Sequence, residues 1–297
     1  MSRIGAGYAL LAAFLFGAST PFSKILLEEV SPWLLAGILY LGSGVGLLLI
    51  FLLNHRMMKG ATSGASLKLS DWKCLATATC FGGIFGPIFL MSGLSRSSAS
   101  ASSLLLNLEG VLTAIIAWVV FKERYNARII FGIILIVLGG IALSWSSTPI
   151  LTTFVGPLLI SFACLAWAID NNVTQKISAS DPVQIAMIKS LVAGSVNVLL
   201  AVFVGARSTS LNIMLWGSVL GFLGYGVSIV FFVLALRHIG AARTGAYFSI
   251  APFVGAILSV LFLNDPVSIQ LGIAGFLMGI GVWLNLSVRT TLDVGFN

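Results

Sequence analysis

Long apolar stretches follow one another along almost the whole chain, and short polar connections separate them. Each stretch has about 20 residues, the length that an α-helix needs to cross the hydrocarbon core of a bilayer. The longer polar connection falls at residues 54–71. The sequence therefore predicts an all-α integral membrane protein without a soluble domain. Its ten predicted transmembrane helices are residues 4–27, 32–53, 72–94, 97–120, 128–146, 153–175, 182–204, 212–236, 241–263 and 268–288.

Composition supports the membrane assignment. Hydrophobic residues make up 58% of the 297 positions and charged residues 8%, whereas a soluble domain carries about 25% charged residues. The net charge of +7 does not indicate nucleic acid, because the basic residues lie in the short connections between apolar stretches. Nor do the cysteines indicate a disulfide framework, since all of them lie inside apolar stretches: Cys74, Cys80 and Cys164.

The distribution of basic residues predicts the orientation. Cytoplasmic loops of membrane proteins carry an excess of Lys and Arg. With the N-terminus inside, the outer loops hold only Lys24, Arg96 and Arg207, and the inner side holds Arg3, Arg56, Lys59, Lys68, Lys73, Lys122, Arg124, Arg128, Lys176, Arg237 and Arg289. We therefore expect a multi-pass protein of the bacterial inner membrane with both termini in the cytoplasm.

The chain also contains an internal repeat. The segment from Leu15 to Pro32 aligns with Leu165 to Pro182 at an offset of 150, and Leu94 to Glu123 aligns with Leu236 to Asp265 at an offset of 142. Each unit holds five crossings, so the second must enter the bilayer from the opposite face. The sequence predicts two inverted repeats, residues 1–148 and 149–290, with a cytoplasmic tail at 291–297. Such repeats are typical of secondary transporters, whose binding site lies near the midplane between the halves.

One stretch carries a family resemblance. It runs from Asn107-Leu108-Glu109-Gly110-Val111 to Phe121-Lys122-Glu123-Arg124 and then from Gly132 to Gly140; its counterpart runs from Ser249-Ile250-Ala251-Pro252 to Phe262-Leu263-Asn264-Asp265 and then from Gly272 to Gly281. With these features the chain resembles the drug/metabolite transporter superfamily, and within it the ten-helix EamA type. It departs from the usual pattern with Glu109-Gly110 in place of a Pro-containing pair and with Asp265 in place of Glu. The resemblance implies a transporter, usually an exporter, and leaves the cargo open.

Several ionisable residues fall inside predicted crossings, where they usually face a cavity or a partner. Asp170 and Lys189 lie on consecutive antiparallel helices at matching depth, which predicts an ion pair. That pair is either a structural clamp or a group that exchanges a proton or meets a cationic cargo. Glu109 is placed at mid-depth in the fourth crossing, where it suits proton coupling; the alternative is a neutral acid hydrogen-bonded to a neighbouring helix.

Each of these charges occurs in only one copy of the repeat. The alignment matches Asp170 with Thr20, Lys189 with Leu39 and Glu109 with Ala251. Because both halves need the same packing, a charge in one half alone indicates a role in cargo binding or coupling.

A polar cluster in the sixth crossing predicts a lining for the cargo. Trp167 shares one helix face with Asp170 and Asn171, and Phe16 and Thr20 are offered by the equivalent helix of the first half. An aromatic ring beside acid and amide groups suits an amphiphile with an ammonium group; packing in the bundle core is the alternative for Trp167. Two further candidates, Arg243 and Tyr247, share a face at the start of the ninth crossing. Arg243 either snorkels to the interface or meets an anionic group at the cytoplasmic mouth.

Together these features predict a secondary exporter of small amphiphilic metabolites such as amino acids, working by alternating access. Proton antiport and facilitated diffusion both stay open. A transporter of organophosphates or nucleotide sugars ranks second, since such cargo requires several inward-facing cations; a channel or scaffold is the alternative from another class. An enzyme is not expected, because the apolar stretches offer no Ser–His pair, no paired aspartates and no metal-ligand spacing. The sequence has no Walker-type loop, so ATP drive within this chain is not expected either. We expect no cofactor and no metal. The expected partners are the lipid bilayer and a small-molecule substrate, with protons as a candidate coupling ion. A monomer is expected to be sufficient, because ten helices can enclose a cavity.

Small residues and prolines inside the crossings have structural interpretations. Gly82-Gly83 with Gly86 predicts close helix packing, as do Gly217 with Gly221 and Gly275 with Gly279. Pro21, Pro87 and Pro252 each free a backbone carbonyl and permit a kink in the helix. Such a kink acts as a hinge for alternating access or is only passive curvature.

Overall fold

A computed structural model of the protein describes residues 3–57, 67–121, 126–144, 154–207 and 209–287. Within these ranges the regular elements are helices. The α-helices are α1 (Arg3–Leu26), α2 (Pro32–Met57), α3 (Trp72–Ala78), α4 (Gly86–Leu94), α5 (Ala99–Leu105), α6 (Leu108–Phe121), α7 (Ala127–Ser144), α8 (Val155–Ile177), α9 (Pro182–Phe203), α10 (Leu211–Gly221), α11 (Ser228–Phe248), α12 (Ala251–Leu263) and α13 (Ile269–Ser287). A 3₁₀ turn at Leu69–Asp71 precedes α3. The predicted tail at 291–297 lies outside the described residues.

The helices have the length and composition of membrane spans. Within the described ranges, seven helical stretches are long and apolar enough to cross a bilayer, and two shorter apolar helices, α12 and α13, accompany them. Large apolar side chains cover the outside of the bundle, including Leu49, Val119, Phe276 and Trp283. Such a surface is stable in lipid and costly in water. The all-helical membrane prediction is thus confirmed.

The fourth crossing is not the single helix that the sequence predicts. α5 ends at Leu105 and α6 begins at Leu108, and the Nδ2 of Asn107 donates to the carbonyl of Leu104 at 3.0 Å. A matching break separates α11 from α12 at residues 249 and 250, just before Pro252 in the first turn of α12. Proline suits that position because it has no N–H to leave unpaired. The two breaks are 143 residues apart, within one residue of the repeat offset of 142.

The chain reverses direction inside α11. The rings of Phe232 and Phe248 are 4.9 Å apart, although these residues would be about 24 Å apart in a straight helix with a rise of 1.5 Å per residue. The turn therefore lies between them, where the sequence predicts a boundary at 236–241.

Two π-helical segments interrupt longer helices that the sequence predicts to be regular. One joins α3 to α4 at Thr79–Phe85, and the other joins α10 to α11 at Phe222–Val227. They contain Gly82 and Gly224, which occupy equivalent places in the two copies at the offset of 142. A π-helical turn is rare and frequently marks a functional site.

The inner helices of the two halves pack reciprocally. A Cβ added to Gly44 would lie 2.7 Å from the backbone nitrogen of Leu191, and one on Gly194 would lie 2.5 Å from that of Leu41. Ser43 and Ser190 share a hydrogen bond of 2.8 Å between α2 and α9. The contacts of Gly44 and Gly194 are equivalent at the repeat offset of 150. They indicate that α2 and α9 are related by a pseudo-twofold axis.

Candidate functional site

The predicted ion pair is present in the core of the bundle. Lys189 Nζ on α9 donates to Asp170 Oδ2 on α8, and the two side chains are 6% and 7% exposed. Thr174 Oγ1, one turn along α8, donates to the other oxygen, Asp170 Oδ1, at 2.8 Å. Both carboxylate oxygens of Asp170 are therefore engaged, as a buried charge requires.

Glycines of the first π-helical segment form the wall against this pair. A Cβ on Gly82 would overlap Asp170 Oδ2, and one on Gly83 would meet the Cβ of Ala193 at 2.6 Å and lie 3.8 Å from Lys189 Cγ. Four residues after Gly82, a Cβ on Gly86 would lie 2.6 Å from Trp167 Nε1. The sequence predicts only helix packing for these glycines, whereas they bring backbone directly against the charged pair and the indole.

The same segment presents its carbonyls to polar side chains. Gly82 O accepts from Tyr40 Oη at 2.8 Å and from Trp167 Nε1 at 2.9 Å. Gly83 O accepts from Asn197 Nδ2 at 3.0 Å. Sequence reasoning did not identify Tyr40 or Asn197; the available signal was a polar side chain inside an apolar helix, which does not disclose its partner.

The shared carbonyl of Gly82 predicts non-additive mutations. Trp167→Phe and Tyr40→Phe each remove one donor, and we expect each to lower stability by about 1 kcal/mol because the carbonyl keeps its other partner. The double variant leaves a buried carbonyl unpaired, so its loss should exceed the sum of the singles. Thermal unfolding of the four proteins in detergent measures this coupling. Strict additivity would contradict the shared geometry.

Glu109 lies beside the pair. It sits in the first turn of α6, next to the helix break, rather than in the middle of a continuous helix. Asn171 Nδ2 on α8 donates to Glu109 Oε1 at 2.7 Å, and Glu109 is within electrostatic range of Asp170 and Lys189. A carboxylate is favoured in the first turn by the helix dipole. We call Glu109, Asp170 and Lys189 the charged cluster.

Asn172 does not join the charged cluster. Its Nδ2 donates to Ala168 O at 2.8 Å and to Thr113 O at 3.3 Å. Asn172 follows Asn171 directly, and the next residue along a helix points about 100° away.

An aromatic cluster adjoins the charges. Phe16 packs against Trp167 at 5.7 Å, Tyr225 at 5.7 Å and Phe248 at 5.5 Å between ring centroids. Tyr40 lies 5.4 Å from Tyr225. Phe16, which the sequence offers to the cargo lining from the first half, thus contacts Trp167 of the second half. The other members, Tyr40, Tyr225 and Phe248, come from α2, the second π-helical segment and α11. The sequence pattern did not predict that they belong to this cluster.

The packing shifts the predicted correspondence of the first helices by one residue. Gly82 faces Asp170, and its counterpart Gly224 faces the Cβ of Ser19 at 2.7 Å. The equivalent of Asp170 is therefore Ser19, which is one residue before Thr20. Since Ser19 is also uncharged, the finding that only the second copy carries the acid is unchanged.

The remaining predicted site residues lie in different surroundings. Thr20 is 1% exposed and its hydroxyl has no hydrogen-bond partner. Tyr247 is partly exposed near the end of α11. Arg243 lies on α11 by its backbone, but its side chain falls outside the described part of the structure.

Basic side chains hold turns together at both ends of the bundle. Where α1 ends, Lys24 Nζ donates to Leu94 O at 2.7 Å and to Ser97 O at 2.9 Å. Nearby, Asp265 accepts from the N–H of Ser100 at 2.8 Å. Where α1 begins, Arg237 Nη2 donates to Ser180 O at 3.0 Å. In each case a cation on one helix hairpin bonds a carbonyl in the turn of another.

This arrangement, two pseudo-symmetric groups of membrane helices around a buried polar centre, defines a transporter-like class of protein. The EamA-like transporter family model matches residues 3–145 and again residues 154–287, so the chain belongs to this family.

Relatives agree at the level of the class. An uncharacterized transporter of Methanothermobacter thermautotrophicus is 28% identical over 288 residues, covering 93% of this chain and 84% of its own. The uncharacterized transporter YvbV of Bacillus subtilis is 26% identical, covering 91% and 88%. A crystal structure superposes with a TM-score of 0.71 over 98% of this chain and 99% of the other; at 15% identity it supports the fold alone.

Proposed function

We propose that the protein is a secondary transporter that exports small amphiphilic metabolites, amino acids first among them, by alternating access and proton antiport. The observation that carries the proposal is the meeting of the charged cluster with the aromatic cluster at the centre of the bundle. Phe16 and Tyr40 come from the first half of the chain, and Trp167, Asp170 and Tyr225 from the second. A site between the halves is the arrangement by which rocking of one half exposes cargo to either face.

The proposed architecture is ten transmembrane crossings in two inverted repeats, residues 1–148 and 149–290. Reversal inside α11 supports a boundary between the eighth and ninth crossings. Paired helix breaks, paired π-helical segments and the two matched ranges support the repeat. The excess of Lys and Arg in alternate loops supports an inner-membrane protein with both termini in the cytoplasm.

The charges at the centre favour a cationic group on the cargo. The charged cluster contains two carboxyl groups and one ammonium, and the ammonium of Lys189 is already engaged by Asp170. An organophosphate or nucleotide sugar requires uncommitted cations at the site. An ammonium-bearing amphiphile instead finds aromatic faces for cation–π contact and a second acid, Glu109, on α6. The proposed lining comprises Phe16, Glu109, Trp167, Asn171 and the Asp170–Lys189 pair; Thr20, Arg243 and Tyr247 stay predictions.

Contacts at both ends of the bundle support alternating access over a channel. The hydrogen bonds of Lys24 connect helix hairpins at one end of the bundle, and that of Arg237 connects hairpins at the other end in the same conformation. Opening either end requires breaking a different set of hydrogen bonds, so each face has its own closure.

Transport by purified protein in liposomes tests the proposal. We expect uptake of at least one ammonium-bearing amphiphile from an amino-acid and amine panel to respond to an imposed pH gradient. Asp170→Asn should abolish that response, because it removes the carboxyl that exchanges the proton when Lys189 is displaced. Glu29→Gln, at an exposed position, is the matched control and should behave as wild type.

Two results would contradict different parts of the proposal. If Asp170→Asn and the wild type move cargo with the same response to the pH gradient, the Asp170–Lys189 ion pair has a structural role only. Uptake confined to phosphorylated compounds would exclude the cationic cargo and favour the organophosphate alternative.

A further inference from the structure

A group of buried hydroxyls on α1 and α5 has no hydrogen-bond partner. Ser and Thr hydroxyls in helices often donate to a carbonyl one turn back. Several in the described part of this chain do so, among them Ser19, Thr79, Ser161 and Ser259. Among the buried hydroxyls without a hydrogen bond, four lie on adjoining helices and are at most 1% exposed: Thr20 and Ser23 on α1, and Ser102 and Ser103 on α5. An unpaired buried hydroxyl costs about 1–3 kcal/mol, so four in adjoining helices indicate a missing ligand.

A backbone oxygen of α1 joins this group. Gly17 O lacks its usual helical donor, because the residue four positions on is Pro21, which has no N–H. A Cβ on Gly255 of α12 would lie 2.8 Å from Gly17 O and 2.6 Å from Ser103 Oγ. The two oxygens thus converge on one point beside α12. Thr20 lies on the same face of α1 as Gly17, three residues further along.

The chemistry of these atoms identifies the ligand class. Carbonyl and hydroxyl oxygens are hard, neutral ligands, and at interrupted membrane helices freed carbonyls coordinate sodium in secondary transporters. A divalent cation takes carboxylate ligands, and none belongs to this group. We propose that Gly17 O, Thr20 Oγ1 and Ser103 Oγ form a sodium site between α1, α5 and α12. The residues differ from those of the charged cluster, and the proposal holds whatever the cargo is.

Thermal unfolding of the purified protein in detergent tests the site without a transport assay, since a ligand that binds the folded state raises the unfolding midpoint in a saturable manner. We expect sodium chloride to do this, and potassium or choline chloride at the same ionic strength not to. Thr20→Val and Ser103→Ala should raise the half-saturating sodium concentration at least tenfold. Pro21→Ala should act likewise, because it returns an N–H to Gly17 O.

Ser259→Ala is the matched control. Ser259 is equally buried, on α12, but its hydroxyl donates to Gly255 O within the helix, so the sodium response should be unchanged. Equilibrium binding of ²²Na⁺ to the wild type provides a second measurement. It does not depend on whether any variant folds. The absence of sodium-specific stabilisation and of ²²Na⁺ binding would overturn the proposal. Destabilisation of the variants that is equal in all three salts would assign the hydroxyls to buried water instead.

Discussion

Lys189→Met is expected to destabilise the protein by about 3–5 kcal/mol, because it leaves the buried carboxylate of Asp170 without a cation. Asp170→Asn should be destabilising for the converse reason, since the ammonium then lacks its counter-ion. The double variant Asp170→Asn/Lys189→Met removes both charges, and its stability should return close to that of the wild type. Thermal unfolding in detergent, with urea titration where unfolding is reversible, measures the three proteins against the wild type.

The same set of proteins separates stability from coupling. A double variant that is stable and moves cargo without a pH response would assign the pair to coupling. A stable double variant with unaltered, gradient-driven transport would assign it to structure alone. Lys73→Met makes the same substitution at an exposed position and should change stability little. Single variants as stable as Lys73→Met would contradict the pairing that the structure describes.

Gly82→Ala is expected to be strongly destabilising although it adds a single methyl group. Its Cβ would overlap the Asp170 carboxylate, and it would also lie 2.7 Å from Asp170 Cβ. Overpacking of this kind costs about 1–3 kcal/mol by itself, and displacement of the carboxylate adds the loss of a buried ion pair. We expect a large fall in the unfolding midpoint together with loss of transport, measured on protein extracted and purified in parallel with the wild type.

Gly110→Ala provides the control for this experiment. Gly110 lies within α6, and a Cβ there would meet nothing within 4 Å. Since alanine is favoured over glycine in a helix by about 0.5–1 kcal/mol, that variant should be as stable as the wild type or slightly more so. Equal behaviour of Gly82→Ala and Gly110→Ala would show that α3–α4 does not press against Asp170.

The sequence was sufficient for features that depend on periodicity and depth. Apolar length placed the helices to within a few residues, for example α9 at Pro182–Phe203 against a predicted 182–204. The contact of Asp170 with Lys189 was predictable because consecutive antiparallel helices joined by a short turn bring residues at equal depth together. The repeat likewise placed Phe16 on the helix equivalent to that of Trp167, and the two rings are in contact in the structure.

Other features depend on atoms that no local pattern specifies. A π-helical segment arises from one extra residue in a turn, which changes the apolar pattern too little to be detected in a uniformly apolar stretch. The position of Gly82 against Asp170 depends on how α3 and α4 cross α8, and Tyr40 meets Gly82 O only because α2 passes the same point. The one-residue shift from Thr20 to Ser19 has a similar origin: side chains on α1 were aligned by resemblance, whereas packing depends on the helix face.

The π-helical turn occurs in both copies of the repeat, at Gly82 and Gly224, whereas the acid and the lysine occur in one. The turn at Gly224 lies beside Ser19, which is uncharged, whereas the turn at Gly82 lies beside Asp170. The close approach of backbone to a neighbouring helix therefore does not depend on the charges. A change of the charged side chains, and of the cargo they select, would leave this frame of helices unaltered.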